Sequence, residues 1–248
     1  MSRIVLTAAS RVGCIRSNNE DMVLAYNKFV RSDAYRTEFM TENTERFVIA
    51  LADGMGGHRA GEVASEQTLS SLKFFINDIP RGLSIGEFDE TMIEWLNYIN
   101  TTINRRGNSD PSLHEMGTTL IGIIYYCGKY FWLNCGDSRL YRLRDGKLVQ
   151  MSTDHSLSNA QGEKKHSNVI TNCIGAGCKS SYLDLYEFTA DFLPGDTYML
   201  CSDGLNDMVD HEDIEKLMNE GATANSLCEA AIEAGGFDNV SVCVFHVE

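Results

Sequence analysis

Apolar residues gather in short blocks, alternating or β-branched, over residues 3–7, 22–26, 119–126, 129–134, 139–144, 147–151, 183–188, 197–201 and 240–247. Blocks of this length bounded by glycine, asparagine or aspartate predict strands. Residues 12–15 read as a continuation of the first. Cys127-Gly128 and Asp145-Gly146 each separate two blocks, so each predicts a tight hairpin. The period changes after Gly57, where Ala60, Val63, Ala64, Leu72, Phe75 and Ile76 fall on one helical face. A second helix is predicted over 86–105 with Phe88, Met92, Trp95, Leu96, Ile99 and Ile103 buried, and Ser84 and Glu87 are spaced as its capping box. Further helices are expected near 212–220 and 224–234, while the polar stretch 27–46 reads as a long hairpin connection. Connections too short for crossover helices make the sheets mainly antiparallel. Helices grouped on either side of a strand-rich middle suit an α+β fold, with sheets packed together and helices outside.

One block, 47–51, runs into Asp53 followed by glycines at 54, 56 and 57. Such a corner can be a plain strand terminator, or a place where backbone approaches a metal or phosphate. The pattern recurs: Asp137 follows a block in FWLNCGDSR, Asp203 follows one in YMLCSDG, and Asp238 precedes one in GGFDNVSV. Glu20 and Asp21 sit between blocks in RSNNED, which taken alone reads equally well as a solvated turn. Were these ends to converge, the carboxylates could not all stay ionised without a cation. Hard oxygen donors with few histidines favour Mg²⁺ or Mn²⁺ over zinc.

The 248 residues, 43% hydrophobic and 23% charged, suffice for a sizeable core, and nothing in 1–248 reads as a linker, so one domain is expected. A net charge of −14 argues against nucleic-acid binding. The eight cysteines form no CxxC pair and read as reduced core thiols. Neither a signal pattern nor a membrane-length apolar run is present, so no membrane contact and a cytoplasmic location are expected.

Taken in order, RSNNED, LADGMGGHRAGEVAS, MGTTL, NCGDSRLYRLRDG, TDHS, SDGLNDMV and GGFDNVSV resemble the metal-dependent serine/threonine phosphatases of the PP2C or PPM family, in its compact bacterial type. The resemblance implies a four-layer α/β/β/α sandwich. It implies that Asp53 bridges two metal ions, that the Gly54 carbonyl binds the first, and that Asp203 and Asp238 hold the second. Glu20 and Asp21 match the family's acidic pair, Asp137 with Asp203 and Asp207 a third metal position, and Arg16 the arginine that grips the substrate phosphate. Met55 stands where animal-type relatives carry a histidine. His58 lies three residues on, either as a proton donor or as a holder of the glycine turn, whereas His114, His166, His211 and His246 match no catalytic motif. Asp154, His155 and Ser156 match the turn into the flap, which is shortened here to about 157–168.

The chemistry follows from the donors. A water between two divalent ions becomes acidic enough to attack phosphorus in line, without a phosphoenzyme, while the planar fork of Arg16 meets two phosphate oxygens. The expected reaction is hydrolysis of phosphoserine and phosphothreonine in proteins, by a monomer that uses two Mn²⁺ or Mg²⁺ ions and a third at the weaker position. Its substrate would be the target or partner of a serine/threonine kinase. Two alternatives stay open: an idle relative that binds a kinase or phosphoprotein as a regulator, and a hydrolase of small phosphate esters.

Overall fold

The computed structural model describes residues 2–56, 60–161 and 169–248. In chain order the strands are β1 (Arg3–Arg11), β2 (Met22–Ala25), β3 (Lys28–Val30), β4 (Ala34–Met40), β5 (Arg46–Ala52), β6 (Gly54–Met55), β7 (Gly117–Thr118), β8 (Leu120–Tyr126), β9 (Lys129–Cys135), β10 (Arg139–Arg144), β11 (Lys147–Gln150), β12 (Ile174–Gly175), β13 (Asp184–Glu187), β14 (Thr197–Cys201) and β15 (Val240–Val247). The helices are α1 (Ala60–Asp78), α2 (Ile85–Ser109), α3 (Leu157–Gln161), α4 (Asp203–Asn206), α5 (His211–Asn219) and α6 (Ala224–Glu233).

Two six-stranded sheets result, ordered β11-β10-β14-β15-β1-β4 and β13-β9-β8-β5-β2-β3, beside a small sheet of β12, β7 and β6. Every pairing in the two large sheets is antiparallel. The alternation of side chains along each strand sorts residues into layers. On β5, Phe47, Ile49 and Leu51 point between the sheets, whereas Val48, Ala50 and Ala52 point at α1 and α2. On β14, Tyr198 and Leu200 point inward and Met199 and Cys201 face α5 and α6. The outcome is the four-layer α/β/β/α sandwich. The α2 cap is as expected: the Ser84 hydroxyl accepts the Glu87 N–H, and the Glu87 carboxylate accepts the Ser84 N–H at 2.8 Å. Both predicted Gly-containing hairpins form, between β8 and β9 and between β10 and β11.

Two expectations are corrected. Residues 27–46 are no plain connection, for they hold β3 and β4, and β4 pairs with β1 from Arg3 opposite Met40 to Ala9 opposite Ala34. β4 ends its sheet, so Arg36 and Glu38 face solvent and mask the half-buried Tyr35 and Phe39, which pack on the inter-sheet core. Residues 12–15 do not extend β1. The chain turns at Gly13, with φ +78°, and passes so close over the 236–238 corner that a Cβ there would lie 2.2 Å from the Asp238 carbonyl oxygen.

That turn brings the loop after β1 to the same end of the sandwich as the end of β14, the start of β15 and the end of β5. Cys201 stands opposite Val242, and Met22 stands opposite Ala52, which places Asp203 near Asp238 and Asp21 beside Asp53.

Candidate active site

Asp53 follows directly on β5 and is held by its backbone. Its N–H donates to Thr119 Oγ1 at 3.0 Å, and its carbonyl accepts from the Thr119 N–H at 2.9 Å and Thr118 Oγ1 at 2.8 Å. Thr119 Oγ1 also meets Ser138 Oγ at 2.7 Å, which ties this corner to that of Asp137. Gly54 is crowded by α1 and by the loop before β2. A Cβ there would meet the Gly61 carbonyl oxygen at 2.3 Å and that of Glu20 at 2.6 Å, so only glycine lets the three backbones approach. Arg31 fastens the same junction by donating to the Asp21 carbonyl at 3.0 Å and the Glu62 carbonyl at 2.9 Å.

The 12–20 loop is strapped to the corner before β15, with Asn239 making three of the bonds. Asn239 Oδ1 accepts the Glu20 N–H at 2.8 Å, and its Nδ2 donates to the carbonyls of Val12 at 2.9 Å and Asn18 at 2.8 Å. Asp21 is fully buried below the cleft; Oδ2 accepts from Ser202 Oγ at 2.8 Å, while Oδ1 has no hydrogen-bond partner. Ser202 Oγ in turn accepts the Ser241 N–H at 3.0 Å. Arg16 reaches back to Asp238, Nη2 to Oδ2, at 2.6 Å.

A cleft of about 290 Å³ opens at this end, lined by Arg16, Glu20, Asp53, Gly54, Asp203 and Asp238, with Met55 and Ile170 on its walls. Its acids resist ionisation. Burial, then the charges of Asp21, Asp203, Asp137 and Asp238, hold the Asp53 carboxyl well above the usual range. Burial and the neighbouring Asp137, Asp207 and Asp238 push Asp203 to about 8. Burial raises Glu20 to about 7 against the opposing pull of Arg16. It also raises Asp21 to about 6, where hydrogen bonds from Ser202 and Ser241 oppose it, and Asp137 to about 6. Acids so placed, with one buried oxygen left without a donor, fit a divalent cation that takes hard oxygen ligands. Among the described residues no three Asp, Glu, His or Cys side chains close a cage around one point.

Residues 25–232 match the profile of the family described as Protein phosphatase 2C. The chain belongs to that family. It is 33% identical over 261 residues to the serine/threonine protein phosphatase PstP of Mycobacterium tuberculosis, covering 100% of this chain and 46% of PstP. The chain therefore spans about half the length of that relative. It is 31% identical over 210 residues to the serine/threonine phosphatase stp of Listeria monocytogenes, covering 79% of this chain and 82% of stp. Among solved structures, the PstP catalytic domain in complex with two manganese ions superposes with a TM-score of 0.74 at 32% identity, covering 100% of this chain and 99% of that one.

The span matched to the phosphatase 2C family stops short of Arg16, Glu20, Asp21 and Asp238 at either end, yet the fold returns all four to Asp53. Of the residues expected from sequence, Asp21 lies beneath the cleft rather than in its lining, and Asp137 and Asp207 act on Asp203 from beside it. His58 and His166 lie outside the described residues. So does most of the shortened flap, 162–168, while 157–161 forms α3. The turn before the flap is a fastening. His155 Nδ1 accepts the Gly136 N–H at 3.1 Å, which leaves the proton on Nε2 to be donated to Asp184 at 3.0 Å, and Arg139 grips Asp154 through Nε and Nη2. Sequence reasoning missed Asn239, Thr119, Arg31 and the Ser202–Ser241 pair. Thr119, Ser202, Asn239 and Ser241 each lie within a quoted motif, MGTTL, SDGLNDMV or GGFDNVSV, whereas Arg31 carried no signal.

Proposed function

We propose that this chain hydrolyses phosphoserine and phosphothreonine in proteins. The observation that carries this reading is the meeting of Asp53, Gly54, Asp203, Asp238 and Glu20 with Arg16 around one small cleft. Asp53, the Gly54 carbonyl, Asp203 and Asp238 are the groups to hold two divalent ions, Mn²⁺ or Mg²⁺, and Asp137, Asp203 and Asp207 those to hold a third. Bound there, such ions supply Lewis acidity, which lowers the pKa of the attacking water and neutralises phosphate charge.

The chain's own residues do the rest. Arg16, more than half exposed and held by Asp238 alone among the described carboxylates with which it forms an ion pair, is free to turn its planar fork onto two phosphate oxygens. Glu20, at the cleft, accepts hydrogen bonds from water and orients it, while the buried Asp21 adds its negative charge from beneath, held by Ser202. Met55 lines the cleft and carries no proton, so protonation of the leaving oxygen falls to solvent, with His58 as a supporting group. No helix among the described residues is long and apolar enough to cross a membrane. We read residues 1–248 as one catalytic domain, a monomer acting in the cytoplasm on the target or partner of a serine/threonine kinase.

Turnover of p-nitrophenyl phosphate and of a phosphothreonine peptide, with Mn²⁺ or Mg²⁺ and with EDTA, tests the reading. Metal-dependent, chelator-sensitive hydrolysis of both is expected. No turnover would leave an idle phosphoprotein binder, and free nucleotides cleaved faster than phosphopeptides would make it a small-ester hydrolase.

A further inference from the structure

Arg16 sits at the tip of an exposed loop. Cys14, Ile15, Arg16 and Ser17 all face solvent, and Ile15 keeps 67% of its surface, so the tip buries no side chain that could fix its place. Its position has to come from its base. There one carboxamide takes both ends: Asn239 Nδ2 donates to the Val12 carbonyl at 2.9 Å, where the loop leaves β1, and to the Asn18 carbonyl at 2.8 Å, where it returns. Asn239 Oδ1 accepts the N–H of Glu20, two residues further on, at 2.8 Å. The backbone N–H of the same residue donates to Asp238 Oδ1 at 2.8 Å, and Asp238 Oδ2 accepts Arg16 Nη2 at 2.6 Å. Asn239 thus holds Arg16 from two sides, through the base of its loop and through the carboxylate it rests on. The side chain is 6% exposed and both its amide hydrogens are spent on the loop, so it has no donor left for a substrate. An aspartate here would keep the acceptor for Glu20 but set a charge against two carbonyls.

We propose that Asn239 is a positioning residue for the substrate phosphate: it pinches the loop 13–17 at its base and so holds Arg16, and with it Glu20, in register with the aspartates of the cleft. The proposal rests on the phosphatase reading and adds to it a residue that acts through Arg16 rather than on the phosphate. Removal of the side chain leaves the corner otherwise fastened, since the Cys14 N–H still donates to the Gly236 carbonyl at 2.7 Å and Asn19 Nδ2 to Ser10 Oγ at 2.7 Å. What it frees is the tip of the loop. A displacement of about 1 Å in a group that must meet the phosphate costs up to about a hundredfold in rate.

The test is a double-mutant cycle on the full chain, with Asn239→Ala, Arg16→Ala and the two combined, assayed with p-nitrophenyl phosphate and Mn²⁺. Asn239→Ala alone should lower kcat/KM by about tenfold or more, and on the Arg16→Ala background by less than about threefold, because the arginine it positions is already gone. Calorimetry supplies two readouts that need no turnover. Asn239→Ala should weaken the binding of inorganic phosphate to the Mn²⁺-loaded protein by about five- to tenfold. It should leave Mn²⁺ affinity within about threefold, since the bond from the Asn239 backbone to Asp238 does not need the side chain. Asn239→Ser, which returns a hydroxyl to the corner, takes the place of the Ala variant if a thermal melt finds the latter unfolded. Equal losses with and without Arg16, Mn²⁺ affinity falling as far as phosphate affinity, or an unchanged kcat/KM would each overturn the proposal while leaving the phosphatase reading standing. Unfolding of both variants at the assay temperature would overturn it too, because Asn239 would then serve stability alone. Loss of all turnover in the unaltered protein would overturn the phosphatase reading and the proposal with it.

Discussion

Asp53 is anchored through its main chain, which leaves its carboxyl group to face the cleft: Thr118 and Thr119 take up its carbonyl and its N–H. A side chain anchored this way can be altered without moving the strand that carries it. Asp53→Asn keeps the shape and removes the charge, so it should weaken Mn²⁺ binding by calorimetry and lower turnover by about two to three orders of magnitude or more. His58→Ala should leave Mn²⁺ affinity within about twofold and reduce turnover less than about tenfold, as expected of a supporting group. If the histidine variant alone lost the reaction with metal still bound, solvent would not be the proton donor. The acids that ring Asp53 were legible in the sequence because each abuts an apolar block, and a carboxylate at a strand end stands out from its surroundings. The groups that hold them were not. Ser202 meets Asp21 across 181 positions of chain, and Asn239 meets Val12 across 227, so a motif can show the hydroxyl or the amide but not the distant group it holds.

Elements bring these residues together by approaching more closely than side chains would allow. At Gly54 the strand corner, the first turn of α1 and the loop before β2 share one small volume, and Gly61 is its counterpart, since a Cβ there would lie 2.6 Å from the Gly54 carbonyl carbon. Gly54→Ala should therefore force the helix and the strand corner apart, costing about 1–3 kcal/mol of stability. Mn²⁺ affinity should fall with it, because the Gly54 carbonyl must shift. A denaturant titration and calorimetry on the same variant check both; an unchanged affinity would mean that this carbonyl faces no ion. At this scale the sequence was readable wherever a signal is local. The α2 capping box and the two hairpins with Gly turns are contained within a few residues each. β4 was not readable, because its partner β1 lies some thirty positions back and its charged residues face solvent at the sheet edge.

Across the whole molecule, the clustered acids couple stability to pH and to metal in a definite direction. The folded chain holds Asp203 near 8, Glu20 near 7, and Asp21 and Asp137 near 6, above the values of about 4 that these groups have when unfolded. Between about pH 4 and 8 the native state therefore binds more protons than the unfolded chain, and stability falls as pH rises through that window. Asp191 and Asp196, held by Arg144 below the usual carboxylate range, work in the opposite sense: their contribution is lost only as pH falls below about 4, so the two windows do not overlap. In EDTA the melting temperature should accordingly be higher at pH 5 than at pH 8. A divalent ion compensates the same charges that protons do, so Mn²⁺ should raise the melting temperature more at pH 8 than at pH 5. Each kcal/mol involved should appear as roughly 2–4 °C for a chain of this size. Melts at the two pH values, with EDTA and with Mn²⁺, provide the check. A melting temperature that rises from pH 5 to 8 in EDTA, or an Mn²⁺ effect independent of pH, would mean that the acids at the end of the sandwich do not crowd one another as their placement requires.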